Sequence, residues 1–285
     1  VISRRILTAA LIATPGLPAR AADRHATVRQ ALAGLERRHG GRLGVAILDT
    51  AGAEPFEHRG DERFPVTSTF KFLAAACALA RVDRREESLD RRIAYGRDKL
   101  VPYSPVTGPH AGADGMNIGA LCDAAVTLSD NTAGNLLLES FGGPAGLTGW
   151  VRGLGDEVTR LDRWETALNE ATPGDPRDTT SPLAMLGLMR RLLVGDALSA
   201  ASREQLAAWL VACRTGDKRL RAGVPVGWRI GDKTGSGERN TANDIAILWP
   251  PNRPPILVAA YYTGAQASDE ERNAVLAEVG RLAAV

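Results

Sequence analysis

Strand-like segments lie at the two ends of this chain and not between them, and that distribution constrains the fold more than any other feature. Near the start, "GRLGVAILDT" (41–50) is a short apolar run ending in a turn. The next strand candidates are 226–234, "DIAILWP" (244–250) and "PILVAAYYTG" (255–264). Between them the chain reads as helices over 68–81, 117–128, 131–140, 143–152, 181–193 and 202–213. A further helix at 23–39, with Val28, Leu32 and Leu35 on one face, precedes the first strand, and one at 268–283 follows the last. One sheet can collect these strands only if the chain ends meet. The pattern therefore predicts an α+β protein: an antiparallel sheet assembled from both ends, with an all-helical lobe inserted between them.

One segment interrupts the helices. "DRWETALNEATPGDPRDTTSP" (162–182) holds three prolines and weak periodicity, so it reads as a long ordered loop, a feature that compact domains usually keep for function. The N-terminus reads as an export signal: Arg4 and Arg5 as the basic region, Ile6 to Leu17 as a short apolar run, and Ala19-Arg20-Ala21 as an A-x-A cleavage site. Residues 1–21 are therefore set apart from the fold, and the arginine pair after Ser3 suggests the twin-arginine route. The expected location is the periplasm or outside the cell. Removing three arginines takes the formal net charge from +2 to −1, which gives no reason to expect nucleic acid or an anionic membrane as partner. No run reaches the ~18 apolar residues of a membrane span. The four histidines have no metal-ligand spacing, and Cys77, Cys122 and Cys213 read as small buried side chains.

The chemistry starts in "VTSTFKFLAAACALA" (66–80), where Ser68 and Lys71 stand three residues apart at the mouth of an otherwise apolar helix. A serine hydroxyl needs a base to become a nucleophile, and a lysine can be that base if burial lowers its pKa. The chain holds 4 lysines against 31 arginines, yet position 71 is lysine. Arginine could not be deprotonated there. Three further clusters carry polar groups. Ser129-Asp130-Asn131 lies between two helices. "GDKTGSGE" (231–238) puts Lys233, Thr234 and Ser236 among glycines on a strand. Glu165, with Asn169 four residues on, lies in the long loop, where a carboxylate could activate a water. Each cluster alone has an ordinary reading as a cap, a turn or a surface carboxylate.

Taken together, S-x-x-K, S-D-N and K-T-G in this order are the set shared by class A β-lactamases and penicillin-binding proteins. The chain resembles the class A serine β-lactamases across its whole mature length, through "VPYSPVTGPH" (101–110), the Glu165–Asn169 spacing, "RDTTSP" (177–182), "DKTGSG" (232–237) and "NDIAILWPP" (243–251). The resemblance implies a three-layer α/β/α domain from residues 22–66 and 212–285, with an all-α domain from 67–211. It implies a monomer without cofactor or metal that hydrolyses penicillins and cephalosporins. Ser68 would form the acyl-enzyme, with the backbone N–H groups of Ser68 and Ser236 as oxyanion hole. Ser129 would relay a proton to the leaving nitrogen, helped by Lys71 and Lys233. Glu165 and Asn169 would hold the deacylating water. Either Lys71 or Glu165 could be the acylation base. Asn131 would bind the substrate's side-chain amide; Lys233, Thr234 and Ser236 its carboxylate; Tyr103 would flank the entrance; Arg163 and Asp178 would pair at the base of the loop.

The chain departs from some members of that family. The arginine they carry after K-T-G is matched by Ala242, and Arg219 is the expected substitute. The cysteine pair of one carbapenem-hydrolysing branch is matched by Thr67 and Gly237, and Cys122 matches a half-cystine of another branch whose partner position is Ala75, so that disulfide is not predicted. Two other readings share part of the pattern. A penicillin-binding D,D-peptidase would lack a deacylating Glu165 and Asn169, and an exported non-catalytic binding protein would be expected to have lost part of the motif set.

Overall fold

The structure is a computed structural model that describes residues 17–52 and 54–284, with side chains from residue 26 onward. Most of the expected export signal, including Arg4 and Arg5, lies outside the described residues. Helix α1 spans Leu17–His39, beginning six residues before the expected start at 23. Pro18 falls in its first turn, where a missing N–H leaves no helical hydrogen bond unmade.

The remaining helices are α2 (Phe70–Asp83), α3 (Ile118–Thr127), α4 (Asn131–Ser140), α5 (Gly143–Gly153), α6 (Pro182–Leu193), α7 (Ala200–Val211), α8 (Leu220–Gly223) and α9 (Asp269–Ala283). The strands are β1 (Arg42–Asp49), β2 (Phe56–His58), β3 (Phe64–Pro65), β4 (Arg92–Ile93), β5 (Met116–Asn117), β6 (Thr179–Thr180), β7 (Arg229–Gly237), β8 (Thr241–Trp249) and β9 (Ile256–Thr263). Five form one antiparallel sheet in the order β2-β1-β9-β8-β7. The N-terminal strand β1 pairs along its whole length with β9, so the chain ends do close the sheet.

Alternation along the strands divides the interior in two. Val45, Ile47, Ala246, Leu248, Val258 and Ala260 face one way and join Val28, Leu32, Leu35, Val275, Leu276 and Val279 of α1 and α9. Ala46, Leu48, Ile245, Ile247, Leu257 and Ala259 face the other way and join a larger cluster of α2 to α7. Helix α2 runs through that cluster, with every residue from Phe70 to Ala80 buried. Such all-round burial is what a helix apolar on every face requires. Truncating one of its large side chains, as in Leu73→Ala, would cost about 2–5 kcal/mol.

Side-chain caps fix where the helices begin. Asn117 accepts from the Ala120 N–H at 2.7 Å, Asp130 from Ala133 at 2.9 Å and Ser181 from Ala184 at 3.2 Å. Ser268 and Glu271 form a reciprocal capping box at α9. Each cap is worth about 1 kcal/mol. The caps also correct two expected limits: Ser199 caps α7, which therefore starts at 200 and not 202, and Asn117 lies outside α3. Strand β7 starts at 229, three residues later than expected, and continues through the whole K-T-G segment to Gly237.

Candidate active site

Ser68 lies in a single 3₁₀ turn, Thr67–Thr69, that feeds directly into α2, so it precedes the helix proper and Lys71 occupies the first turn. Asn243 on β8 ties this turn to the sheet by donating to the Pro65 carbonyl at 2.8 Å and to Thr67 Oγ1 at 2.9 Å. Strand β7 passes close by. A Cβ added at Gly235 would lie 2.1 Å from Thr67 Oγ1 and 3.3 Å from the Ser68 nitrogen, so only glycine lets the strand approach the Ser68 amide.

The lysine on α2 reaches groups from three other segments. Lys71 is 0% exposed, and its Nζ donates to Ser68 Oγ at 2.8 Å, to the Ser129 carbonyl at 3.0 Å and to Asn131 Oδ1 at 2.6 Å. Glu165 Oε1 lies 2.8 Å from the same nitrogen and accepts from the Ser68 hydroxyl at 3.2 Å. Burial pulls the Lys71 pKa below its ordinary value, and the Glu165 carboxylate opposes that pull. Gly134 on α4 makes room, since a Cβ there would lie 3.0 Å from Lys71 Cε.

Ser129 turns the chain between α3 and α4 with φ of +58°, an uncommon conformation for a non-glycine residue. Asp130 beside it accepts from Val106, Thr107 and Ala133 and so fastens the turn to segment 101–110. Asn131 donates to the Pro102 carbonyl at 2.8 Å, next to Tyr103, which is 58% exposed at the rim.

The long loop is pinned at both ends. Asp178 accepts from the backbone N–H groups of Asp162 and Arg163 at 2.7 and 2.9 Å, and from Arg163 Nε at 2.6 Å. Arg163 also pairs with Glu170. Asn135 on α4 clamps Glu165 itself, accepting from its backbone N–H at 2.9 Å and donating to its carbonyl at 3.1 Å. Asn169 donates to Glu165 Oε2 at 2.5 Å.

The opposite bank is β7. Lys233, also 0% exposed, donates to Ser129 Oγ at 3.0 Å and to the Thr234 carbonyl at 2.6 Å. Burial, with the charge of Lys71 acting in the same direction, pushes its pKa down to about 8. Arg219 lies alongside, donating to the carbonyls of Gly235 and Asn243 and to Ser236 Oγ, each at 2.7 Å. Thr234 Oγ1 is 2.5 Å from Thr215 Oγ1. Between the banks lies a groove of about 400 Å³, with Ser68, Ser129, Asn169, Thr215, Thr234 and Ser236 among its walls.

All the site residues expected from the sequence thus converge on one groove or on the base of the loop beside it. Gly134, Asn135, Thr215 and Asn243 were not expected. For Asn135 a signal was present: it follows Asn131 by four residues on a helix with an otherwise apolar face. Cys77, Cys122 and Cys213 are buried free thiols. Among the described residues no cluster of His, Cys, Asp or Glu could hold a metal ion, and no helix is long and apolar enough to cross a membrane.

Comparison with known proteins gives one consistent family. The model of the β-lactamase enzyme family matches residues 27–284. A β-lactamase of Nocardia asteroides, AST-1, is 50% identical over 248 residues, 87% of this chain and 80% of that protein. A β-lactamase of Streptomyces fradiae is 47% identical over 282 residues, 97% of this chain and 92% of that protein. Among solved structures, an ancestral class A β-lactamase (GNCA) superposes with a TM-score of 0.88 at 64% identity, covering 90% of this chain and 98% of its own.

Proposed function

Because the chain belongs to the class A β-lactamases, serine hydrolases that open the β-lactam amide, we propose that it hydrolyses penicillins and cephalosporins through an acyl-enzyme on Ser68. One observation carries the reading: a buried serine hydroxyl shares hydrogen bonds with both a lysine and a carboxylate, at 2.8 and 3.2 Å.

Besides two hydroxyls, Lys71 Nζ meets three groups that can only accept, the Ser129 carbonyl, Asn131 Oδ1 and the Glu165 carboxylate, which matches the three protons of an ammonium and not the two of a free amine. This favours Glu165 as the group that takes the Ser68 proton. Ser68 Oγ then bonds to the lactam carbonyl carbon, and the backbone N–H groups of Ser68 and Ser236 receive the oxyanion. The carbon–nitrogen bond breaks as Ser129 gives its proton to the departing nitrogen. Ser129 is resupplied from Lys71, which lies 3.4 Å from its hydroxyl. In the second half, Glu165 first passes the proton it took to Lys71, 2.8 Å away, which restores the ammonium that resupplied Ser129. Glu165, oriented by Asn169, then takes a proton from a water that attacks the ester carbon and returns it to Ser68 Oγ as the ester bond breaks. Lys233, Thr234, Ser236 and Arg219 bind the substrate carboxylate, Asn131 its side-chain amide, and Tyr103 flanks the entrance. The N-terminal pattern of residues 1–21 supports action outside the cytoplasm.

The test is turnover of a chromogenic cephalosporin by the protein from residue 22 onward, beside a Glu165→Ala variant. Many turnovers by the parent, and a covalent adduct on Ser68 that persists in the variant, are expected. A single burst from the parent, with a lasting adduct, would replace this reading with that of a penicillin-binding enzyme.

A further inference from the structure

A cavity of about 630 Å³, larger than the catalytic groove, lies beneath the far half of the long loop. Its walls are the loop segment Ala171–Pro176 and the end of the sheet, where Arg42, Thr263, Gly264 and Arg239 come together. Volumes of this size suit drug-sized ligands. Neither Gly174 nor Gly264 has any atom within 4 Å of where a Cβ would stand, so the lining there is open space and not packed protein.

The charge of the lining is unbalanced. Arg42 is paired with Glu62 at 2.9 Å, and Asp175 with Arg177 at 2.7 Å. Arg63 donates only to neutral acceptors, the Val158 carbonyl at 2.7 Å and Thr179 Oγ1 at 3.0 Å. The Arg239 side chain makes no hydrogen bond or ion pair among the described residues; its backbone carbonyl accepts from Gly264 at 2.8 Å, which holds it at the rim. Arg63 and Arg239 thus both line a partly apolar cavity, and neither has a carboxylate within ion-pair distance among the described residues. Arginine favours carboxylate and similar planar anions as partners.

We propose that this cavity is a second ligand site, distinct from the catalytic groove, that takes a drug-sized monoanion with an apolar body and a carboxylate or sulfonate group directed at Arg63 and Arg239. The site shares a wall with the catalytic loop. Thr172 on that wall donates to Glu170 at 2.9 Å, and Glu170 pairs with Arg163, the partner of Asp178.

The probe is 1-anilinonaphthalene-8-sulfonate, titrated by fluorescence against the folded full chain. Arg239→Glu, Arg239→Lys and Lys233→Ala are titrated in parallel. Saturable binding to one site is expected. Arg239→Glu should weaken it by about tenfold or more, while Arg239→Lys and Lys233→Ala stay within ~threefold of the parent. Cephalosporin turnover should be unchanged in both Arg239 variants, because that side chain is outside the groove. Three results would each overturn the proposal: no saturable binding, equal binding by Arg239→Glu and the parent, or loss of binding in Lys233→Ala, which would move the anion into the groove.

Discussion

Lys71 and Lys233 are both fully buried, on opposite sides of Ser129, but only one of them has a carboxylate in contact. Lys71 projects from the first turn of α2 and is 2.8 Å from Glu165. Lys233 projects from β7 and finds only a hydroxyl and a carbonyl. The charges of Asp232 and Asp244 nearby relieve it only in part, and burial outweighs them. Asp232 is on the opposite face of the strand, where it pairs with Arg221. A buried ammonium without an anion is costly, and its lowered pKa expresses that cost. The helical bank is thus complete in itself, whereas on the strand bank neither Lys233 nor Arg219 has a carboxylate in contact. A substrate that brings a carboxylate completes it.

This contrast predicts different consequences for the same change made on each side. Lys71→Met removes the cation from a buried ion pair and leaves Glu165 unpaired. Steady-state kinetics should show kcat/KM lower by about 10³–10⁴-fold, and urea unfolding should show a loss of about 3–5 kcal/mol. Adding Glu165→Gln to Lys71→Met should restore most of that stability and none of the activity. If Lys71→Met proved as stable as the parent, the helical bank could not be the self-neutralised one.

The loop that presents Glu165 depends on a second buried pair. Asp178→Ala leaves every group in the groove untouched but releases Arg163 and two backbone N–H groups. Displacing Glu165 by an ångström should lower kcat by about 10²-fold. Mass spectrometry of the working enzyme should then show accumulated Ser68 adduct. Normal turnover by Asp178→Ala would refute a positioning role.

On the strand bank, Lys233→Met should raise KM by about 10–100-fold, the equivalent of a charge-assisted hydrogen bond worth about 1.5–3 kcal/mol. Its stability should match or exceed the parent's, because an unpaired buried charge is removed. The pH profile follows from the same residue. With a pKa of about 8, Lys233 loses its charge as pH rises through that value, and kcat/KM should fall there. Stability should move the other way. Between about 8 and the ordinary lysine value of 10.5, the unfolded chain binds more protons than the folded one, so stability should rise with pH across that window. Lys233→Met should diminish this rise, leaving the part that comes from Lys71, whose pKa burial also lowers.

What the sequence made legible, and what it did not, divides by range of interaction. The sheet closed by both chain ends was readable because β1, β8 and β9 each contain an apolar run, at 43–48, 245–249 and 256–262. The motifs were readable because Ser68 and Lys71, or Glu165 and Asn169, are neighbours along the chain. The register of β7 was less readable. "GSG" resembles a turn, yet its glycines are strand residues made necessary by Thr67 pressing against Gly235. Periodicity likewise does not separate the 3₁₀ turn at Ser68 from the α-helix that follows it. Thr215 and Asn243 were missed because each acts on a segment distant in sequence, and nothing local marks a polar residue whose partner lies 19 or 178 positions away.

Thr215 gives the smallest expected effect and the finest test of the contrast between the banks. Its Oγ1 is 2.5 Å from Thr234 Oγ1 and 3.3 Å from Cys213 Sγ. A hydroxyl has one proton to give. If Thr215 donates to Thr234, the Thr234 proton is free to meet a substrate carboxylate; if the bond runs the other way, Thr234 offers only lone pairs, which repel one. Thr215→Val removes the donor while nearly preserving shape. The expected loss is one ordinary hydrogen bond, about 0.5–1.5 kcal/mol or roughly two- to tenfold in kcat/KM. The loss should appear in KM, with kcat unchanged, because the carboxylate is held equally before and during the reaction. Thr215→Ser should recover it. A loss in kcat would mean that the strand bank contributes to bond breaking as well as to holding charge, and the division between a chemical helix bank and a binding strand bank would fail at this residue.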